Sequence, residues 1–140
     1  MAKKLLGIDY GEARTGLAVS DDLGIFANGI GNIEERDINR LINKIAEKAR
    51  ELSVERIVLG NPVNMNGTLG PKAEKVAKLA ERIKEKTGLD VVLFDERCTT
   101  MAAHQFLNET NTRGKKRKKV IDTLSAQIIL QNYMDSNRDR

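Results

Sequence analysis

The sequence predicts an α/β fold: a mixed five-stranded sheet in the order 3-2-1-4-5, strand 2 antiparallel, with helices on both faces. Three observations predict it. Two stretches near the N-terminus are joined by only Gly11-Glu12-Ala13, short enough for an antiparallel hairpin. Two later segments, Arg56-Ile57-Val58-Leu59-Gly60 and Val91-Val92-Leu93-Phe94, are near-continuous apolar runs of the kind buried inside a sheet. The segments between and after them change to a helical period. A meander followed by two β-α units makes a mixed sheet with helices on both faces. The right-handed crossover rule then sends the fourth strand beside the first, parallel to it, with the fifth outside.

Each element follows from its residues. Leu5-Leu6-Gly7-Ile8 is an apolar strand that stops at the turn Asp9-Tyr10-Gly11. Arg14 to Ser20 alternates, with Leu17 and Val19 on one side, and forms the second strand. Residues 24–30 predict a third strand whose glycines mark a bend, a bulge or an edge. Ile38, Leu41, Ile42, Ile45, Ala46, Ala49 and Leu52 recur at helical spacing, with Asp37 as N-cap. After the fourth strand, residues 61–70 are dense in turn formers. Pro71 then opens a helix carrying Ala73, Val76, Leu79, Ala80 and Ile83, and Gly88 ends it. The fifth strand ends at Asp95-Glu96-Arg97. Thr99 or Thr100 can cap a short helix through Leu107. Residues 108–114 predict a loop. The last helix is predicted from about Lys118 to Met134, followed by a frayed polar tail over residues 135–140.

The chain is 140 residues long, with 40% hydrophobic and 31% charged residues, a globular balance that excludes a disordered chain. We expect one domain over residues 1–140. No apolar run approaches the ~20 residues of a membrane span, so no membrane partner is expected. A single cysteine, Cys98, excludes an intrachain disulfide and fits a reducing, cytoplasmic setting. His104, the only histidine, is expected to face solvent or the core rather than act as a base, and Cys98, with no histidine at a matching position, is expected to be a small buried residue.

In such a sheet, ligands bind beyond the carboxyl ends of the parallel strands. Asp9 closes the first strand, and Asp95 and Glu96 close the fifth. Side chains alternate faces, so only one of that pair can join Asp9. Asp122 lies near the start of the last helix, with the small residues Ser125 and Ala126 one turn on, which would let that helix press close to the sheet. Two unit charges ~4 Å apart repel by about 4 kcal/mol at an effective dielectric of ~20. A hard divalent cation, Mg²⁺ or Mn²⁺, removes that cost, and a pair of such ions supports phosphodiester hydrolysis. Asp9 as a turn cap and Asp122 as a dipole-favoured residue in a first helical turn remain the alternative. Asp9-Tyr10-Gly11 with Gly16 also forms a phosphate-approach pattern, D-x-G-x₄-G, common to nucleases on this sheet and to actin-like ATPases.

These residues carry a resemblance. Gly7-Ile8-Asp9-Tyr10-Gly11 with Arg14, Gly16 and Ala18-Val19-Ser20-Asp21 resembles the opening of the YqgF/RuvX family, of RNase H-like fold. Gly60-Asn61-Pro62 with Asn66-Gly67-Thr68, then Asp95-Glu96-Arg97-Cys98-Thr99-Thr100, then Val120-Ile121-Asp122 with Ser125-Ala126 and Ile129-Leu130, resemble its later motifs in order, over residues 5 to 134. The chain departs from the pattern at Asn61, Cys98 and Ser125, none of them a carboxylate. The resemblance implies a nuclease that matures the 5′ end of pre-16S rRNA in ribosome biogenesis, or a Holliday junction resolvase acting on branched DNA. It implies Asp9, Glu96 and Asp122 as the catalytic, metal-binding set, with Glu96 rather than Asp95 facing the site.

Residues 113–119, Arg-Gly-Lys-Lys-Arg-Lys-Lys, hold six of the 24 Lys and Arg; the rest of the chain carries 18 basic against 20 acidic residues. The net +4 is therefore local. Lys115, Lys116, Arg117, Lys118 and Lys119 are expected in a basic loop touching the phosphate backbone, with Arg14 and Arg97 near the scissile phosphate. The alternative is a solvated loop, with the two arginines balancing carboxylates. Aromatics at 4%, without Trp, argue against base-stacking platforms and for backbone contacts to structured RNA or branched DNA. A resolvase would be a dimer; the expectation here is a monomer or weak homodimer. An actin-like phosphotransferase needs two such domains to enclose ATP, and a binding protein without turnover needs no carboxylate set.

Overall fold

The computed structural model describes residues 4–61, 70–95 and 114–136; for residue 95 and residues 114–122 it describes the backbone alone. These residues form one five-stranded sheet and three helices. The strands are β1 (Leu5–Asp9), β2 (Arg14–Ser20), β3 (Ala27–Glu34), β4 (Arg56–Asn61) and β5 (Asp90–Asp95). The helices are α1 (Ile38–Leu52), α2 (Pro71–Thr87) and α3 (Gly114–Ser136). The order is β3-β2-β1-β4-β5, with β2 antiparallel to both its neighbours and β1, β4 and β5 parallel. This is the predicted topology, and the motive is hydrophobic coverage: β4 is apolar on both faces, so both faces carry helices.

One face packs on α1 and α2 through Leu6, Ile8, Leu17, Ile57, Leu59, Ile45 and Val76. The other packs on α3 through Leu5, Ala18, Ala27, Val58, Ala126, Ile129 and Leu130. The alternation within each strand fixes the face of every residue. Asp37 caps α1 by accepting a hydrogen bond from the Arg40 amide at 2.9 Å, and Gly88 ends α2 in the left-handed region at φ 72°. Among the described residues no helix is long and apolar enough to cross a membrane.

The structure corrects two boundaries. The third strand runs from Ala27 to Glu34, not over residues 24–30. Residues 21–26 are instead a turn: the Asp21 carboxylate accepts the amides of Ile25 and Phe26 at 2.8 and 3.4 Å, which pulls them out of the ladder. The strand is an edge strand with a bulge opposite Leu17 and Ala18, where Gly31 takes φ 113°. The last helix begins at Gly114, four residues before the expected start. Residues 115–119 are thus helical and not a loop. Lys and Arg have high helix propensity, and the run holds no Pro to stop the helix. The expected short helix over residues 99–107 lies outside the described residues.

Candidate active site at the carboxyl end of the sheet

Asp9 is the last residue of β1. Leu5 and Gly7 face α3, so the alternation sets Asp9 on the same face. Its partner on β2 is Gly16, whose partner on β3 is Asn32. On the other side, Ile8 pairs with Leu59, so the next position of β4 is Gly60. Asp9 therefore stands in a cross-strand row between two buried glycines. Side chains as small as these leave the α3 side of the strand end to the carboxylate.

The helix above is drawn in by small residues. A methyl group on Gly7 would lie 2.7 Å from Leu130 Cβ, and one on Gly29 would lie 2.5 Å from Thr123 Cγ2. The helix runs antiparallel to β1. Its C-terminal Tyr133 accepts from Arg56 Nη1 at 3.0 Å, at the amino end of β4. At the other end, the Thr123 hydroxyl donates to Asn32 Oδ1 at 2.5 Å. From Ala126 back to position 122, α3 rises about 6 Å, and from Gly7 to Asp9, β1 rises about 6.6 Å. Position 122 thus reaches the level of Asp9. Ser125 and Ala126 are buried, as their size led us to expect.

The Ser125 hydroxyl is buried and has no hydrogen-bond partner among the described residues. It lies one turn after position 122, on the same helix face. Buried hydroxyls are normally satisfied, so this one is an exception on the α3 face that bears position 122. The Asp9 carboxylate, the described acid of this row, is an oxygen donor of the kind that suits a hard cation. Among the described residues no three His, Cys, Asp or Glu side chains gather for a metal. Glu96 and Arg97 lie outside the described residues, as do the side chains of Asp122 and of residues 115–119.

Arg14 begins β2 and lines an open hollow with Glu34 and Arg36 at this same sheet end. Residues 115–119 occupy the first turns of α3, also at this end. The structure adds two residues that sequence reasoning missed, Asn32 and Thr123. The misplaced third strand hid Asn32. Thr123, beside Asp122, was readable as polar but not as an anchor.

A mixed 3-2-1-4-5 sheet, with a carboxylate ending its first strand and a closing helix laid across it, is the RNase H-like fold, the class to which many nucleases belong. Solved structures share it. RuvC of Thermus thermophilus in complex with a Holliday junction substrate matches with a TM-score of 0.61, 14% identity, and 98% of this chain and 96% of that one covered. The fowlpox virus resolvase with Holliday junction DNA matches with a TM-score of 0.60 and 11% identity, over 95% and 97%. At those identities the likeness establishes the fold. Sequence relatives go further. A protein of Clostridioides difficile named "Putative pre-16S rRNA nuclease" is 46% identical over 132 residues, 94% of each chain. A protein of the same name from Caldanaerobacter subterraneus is 44% identical over 138 residues, 97% of this chain and 99% of that one. The family model RuvX, described as Holliday junction resolvase, matches residues 3–136. The chain belongs to the RuvX family.

Proposed function

We propose that this protein is a metal-dependent nuclease that hydrolyses phosphodiester bonds in structured RNA, with the 5′ end of pre-16S rRNA as its substrate. The observation that carries the reading is the position of Asp9: on the α3 face, at the carboxyl end of β1, between two glycines and level with position 122. The names of the relatives supply the substrate class.

In this reading Asp9, Glu96 and Asp122 hold one or two Mg²⁺ or Mn²⁺ ions. For Glu96 over Asp95 the support is alternation: Val92 and Phe94 pack on the α3 side, and one more step along β5 favours position 96. When bound, the ions would activate the attacking water and offset charge on the leaving oxygen. The chain's own part is to position. The close seat of α3 holds the helix that bears Asp122 against β1, and the Thr123–Asn32 hydrogen bond keeps it in register. Arg14, Arg97 and residues 115–119 bind phosphates.

The test is cleavage of an RNA carrying the 5′ extension of 16S rRNA by purified protein with Mg²⁺. Wild type should cut; Asp9→Asn, Glu96→Gln and Asp122→Asn should each lose at least 10²-fold while keeping the wild-type thermal midpoint. Full activity in Asp9→Asn would remove the proposed site. Cells lacking the protein should accumulate 16S precursors with extended 5′ ends, rescued by wild type and not by Asp122→Asn. The description of the family model favours a second reading, junction resolution. Symmetrical paired cuts in a four-way DNA junction, with normal rRNA ends in those cells, would select it.

A further inference from the structure

Asp9 and Tyr10 are consecutive, so they leave β1 on opposite faces. Asp9 faces α3, whereas Tyr10 is buried in the core beneath α1 and α2. Above Tyr10, between the start of α1 and the stretch of α2 from Lys75 to Arg82, lies an open hollow of about 490 Å³. Tyr10, Ile38 and Leu79 form its floor, and Arg36, Lys75, Lys78 and Arg82 its rim, with Glu12 the single acidic residue lining it.

The charge is not balanced. Lys75 pairs with Glu12 at 3.6 Å, and Arg82 donates to the Asn39 side-chain oxygen, a neutral partner. Among the described residues Arg36 and Lys78 pair with no carboxylate. Four cations against one anion leave a local charge of +3 on exposed side chains. Such a cluster repels itself unless an anion occupies it. The cations are also spread out. Positions 75, 78 and 82 share one face of α2 over about 10 Å, a row and not a point. Arg36 is common to this hollow and to the one lined by Arg14, so the two hollows adjoin at the sheet end, although Glu34 and Glu35 balance the charge of the second.

We propose that this hollow binds the sugar-phosphate backbone of a polynucleotide on the face of the sheet opposite Asp9. The proposal rests on the nuclease reading above and deepens it: the substrate strand crosses the end of the sheet and is gripped on both sides of β1. A row of cations suits successive phosphates better than one small anion. The buried ring of Tyr10 offers no stacking face, so the contact is with backbone and carries no base preference.

The experiment compares wild type with the Arg36→Gln/Lys78→Gln double variant. Affinity for the fluorescently labelled 16S 5′-extension RNA is measured across a range of NaCl concentrations, without divalent metal. The log–log salt slope should fall by ~1.4–1.8, since each phosphate contact contributes ~0.7–0.9. The thermal midpoint should not change. An unchanged slope overturns the proposal. So does an unchanged slope for RNA with lost binding of inorganic phosphate or a mononucleotide, which would make the hollow a small-anion site. Failure of the nuclease reading is separate: wild type would then bind RNA with the steeper slope and leave it uncut.

Discussion

The Thr123 hydroxyl donates to Asn32 Oδ1 at 2.5 Å, tying the residue after Asp122 to the strand row that contains Asp9. Asn32, Gly16 and Asp9 are consecutive across three strands, so this one bond sets α3 against the sheet end. Thr123→Val removes it and leaves a part-buried amide oxygen unpaired, at a cost of about 1 kcal/mol. Thermal melting should drop by about 3–4 °C. Cleavage should suffer more than stability does, with kcat falling ~10-fold or more at constant KM. An unchanged kcat in the destabilised variant would separate the anchor from the chemistry.

Gly29 and Thr123 should show coupled effects. A methyl on Gly29 meets Thr123 Cγ2 at 2.5 Å, and Thr123 is fixed by its hydroxyl. Gly29→Ala should destabilise by about 1–3 kcal/mol through overpacking. Thr123→Ser deletes the offending methyl and keeps the hydroxyl. In urea unfolding, Gly29→Ala/Thr123→Ser should therefore be more stable than Gly29→Ala alone. Simple additivity of the two single effects would argue against this contact.

Asp21 makes the fold acid-sensitive at the β2–β3 turn. Amides of the turn, Ile25 first, hold its carboxyl below the usual value of 3.8. The folded state thus binds that proton less readily than the unfolded chain does. Its contribution is complete above about pH 4 and is lost as pH falls through the lowered folded value. Asp21→Asn cannot titrate. Between pH 5 and pH 2 the stability of the variant should fall less steeply than that of wild type, as read by denaturant midpoints at each pH.

The basic start of α3 sets stability against binding. Residues 115–117 are cations at a helix N-terminus whose first turn contains no acid. There the macrodipole opposes them, by about 0.3–1 kcal/mol each when exposed. Lys115→Gln/Lys116→Gln should raise the thermal midpoint slightly and weaken RNA binding, lowering the salt slope by ~1.4–1.8. A lower midpoint with unchanged binding would assign these lysines to the fold.

Much of the architecture was legible in local pattern. The apolar run of β4, the short link between β1 and β2, the Asp37 cap and the Pro71–Gly88 bracket of α2 each act within a few residues, so the chain encodes them directly. The turn at Asp21 was not legible, because a side chain that takes backbone amides looks the same in sequence as any exposed aspartate. The start of α3 was not legible either, since a run of lysines has helix propensity and charge repulsion pulling in opposite directions.

By itself the sequence determined the sheet order, the two covered faces and Asp9 at the end of the first strand. Periodicity and crossover handedness leave few alternatives to these. Only the tertiary structure decided that α3 sinks onto Gly7 and Gly29, that Asn32 and Thr123 meet 91 residues apart, and that Arg36, just before α1, and Lys78 of α2 line one hollow. Those relationships depend on how closely elements approach and at what height, which packing sets and no local pattern records.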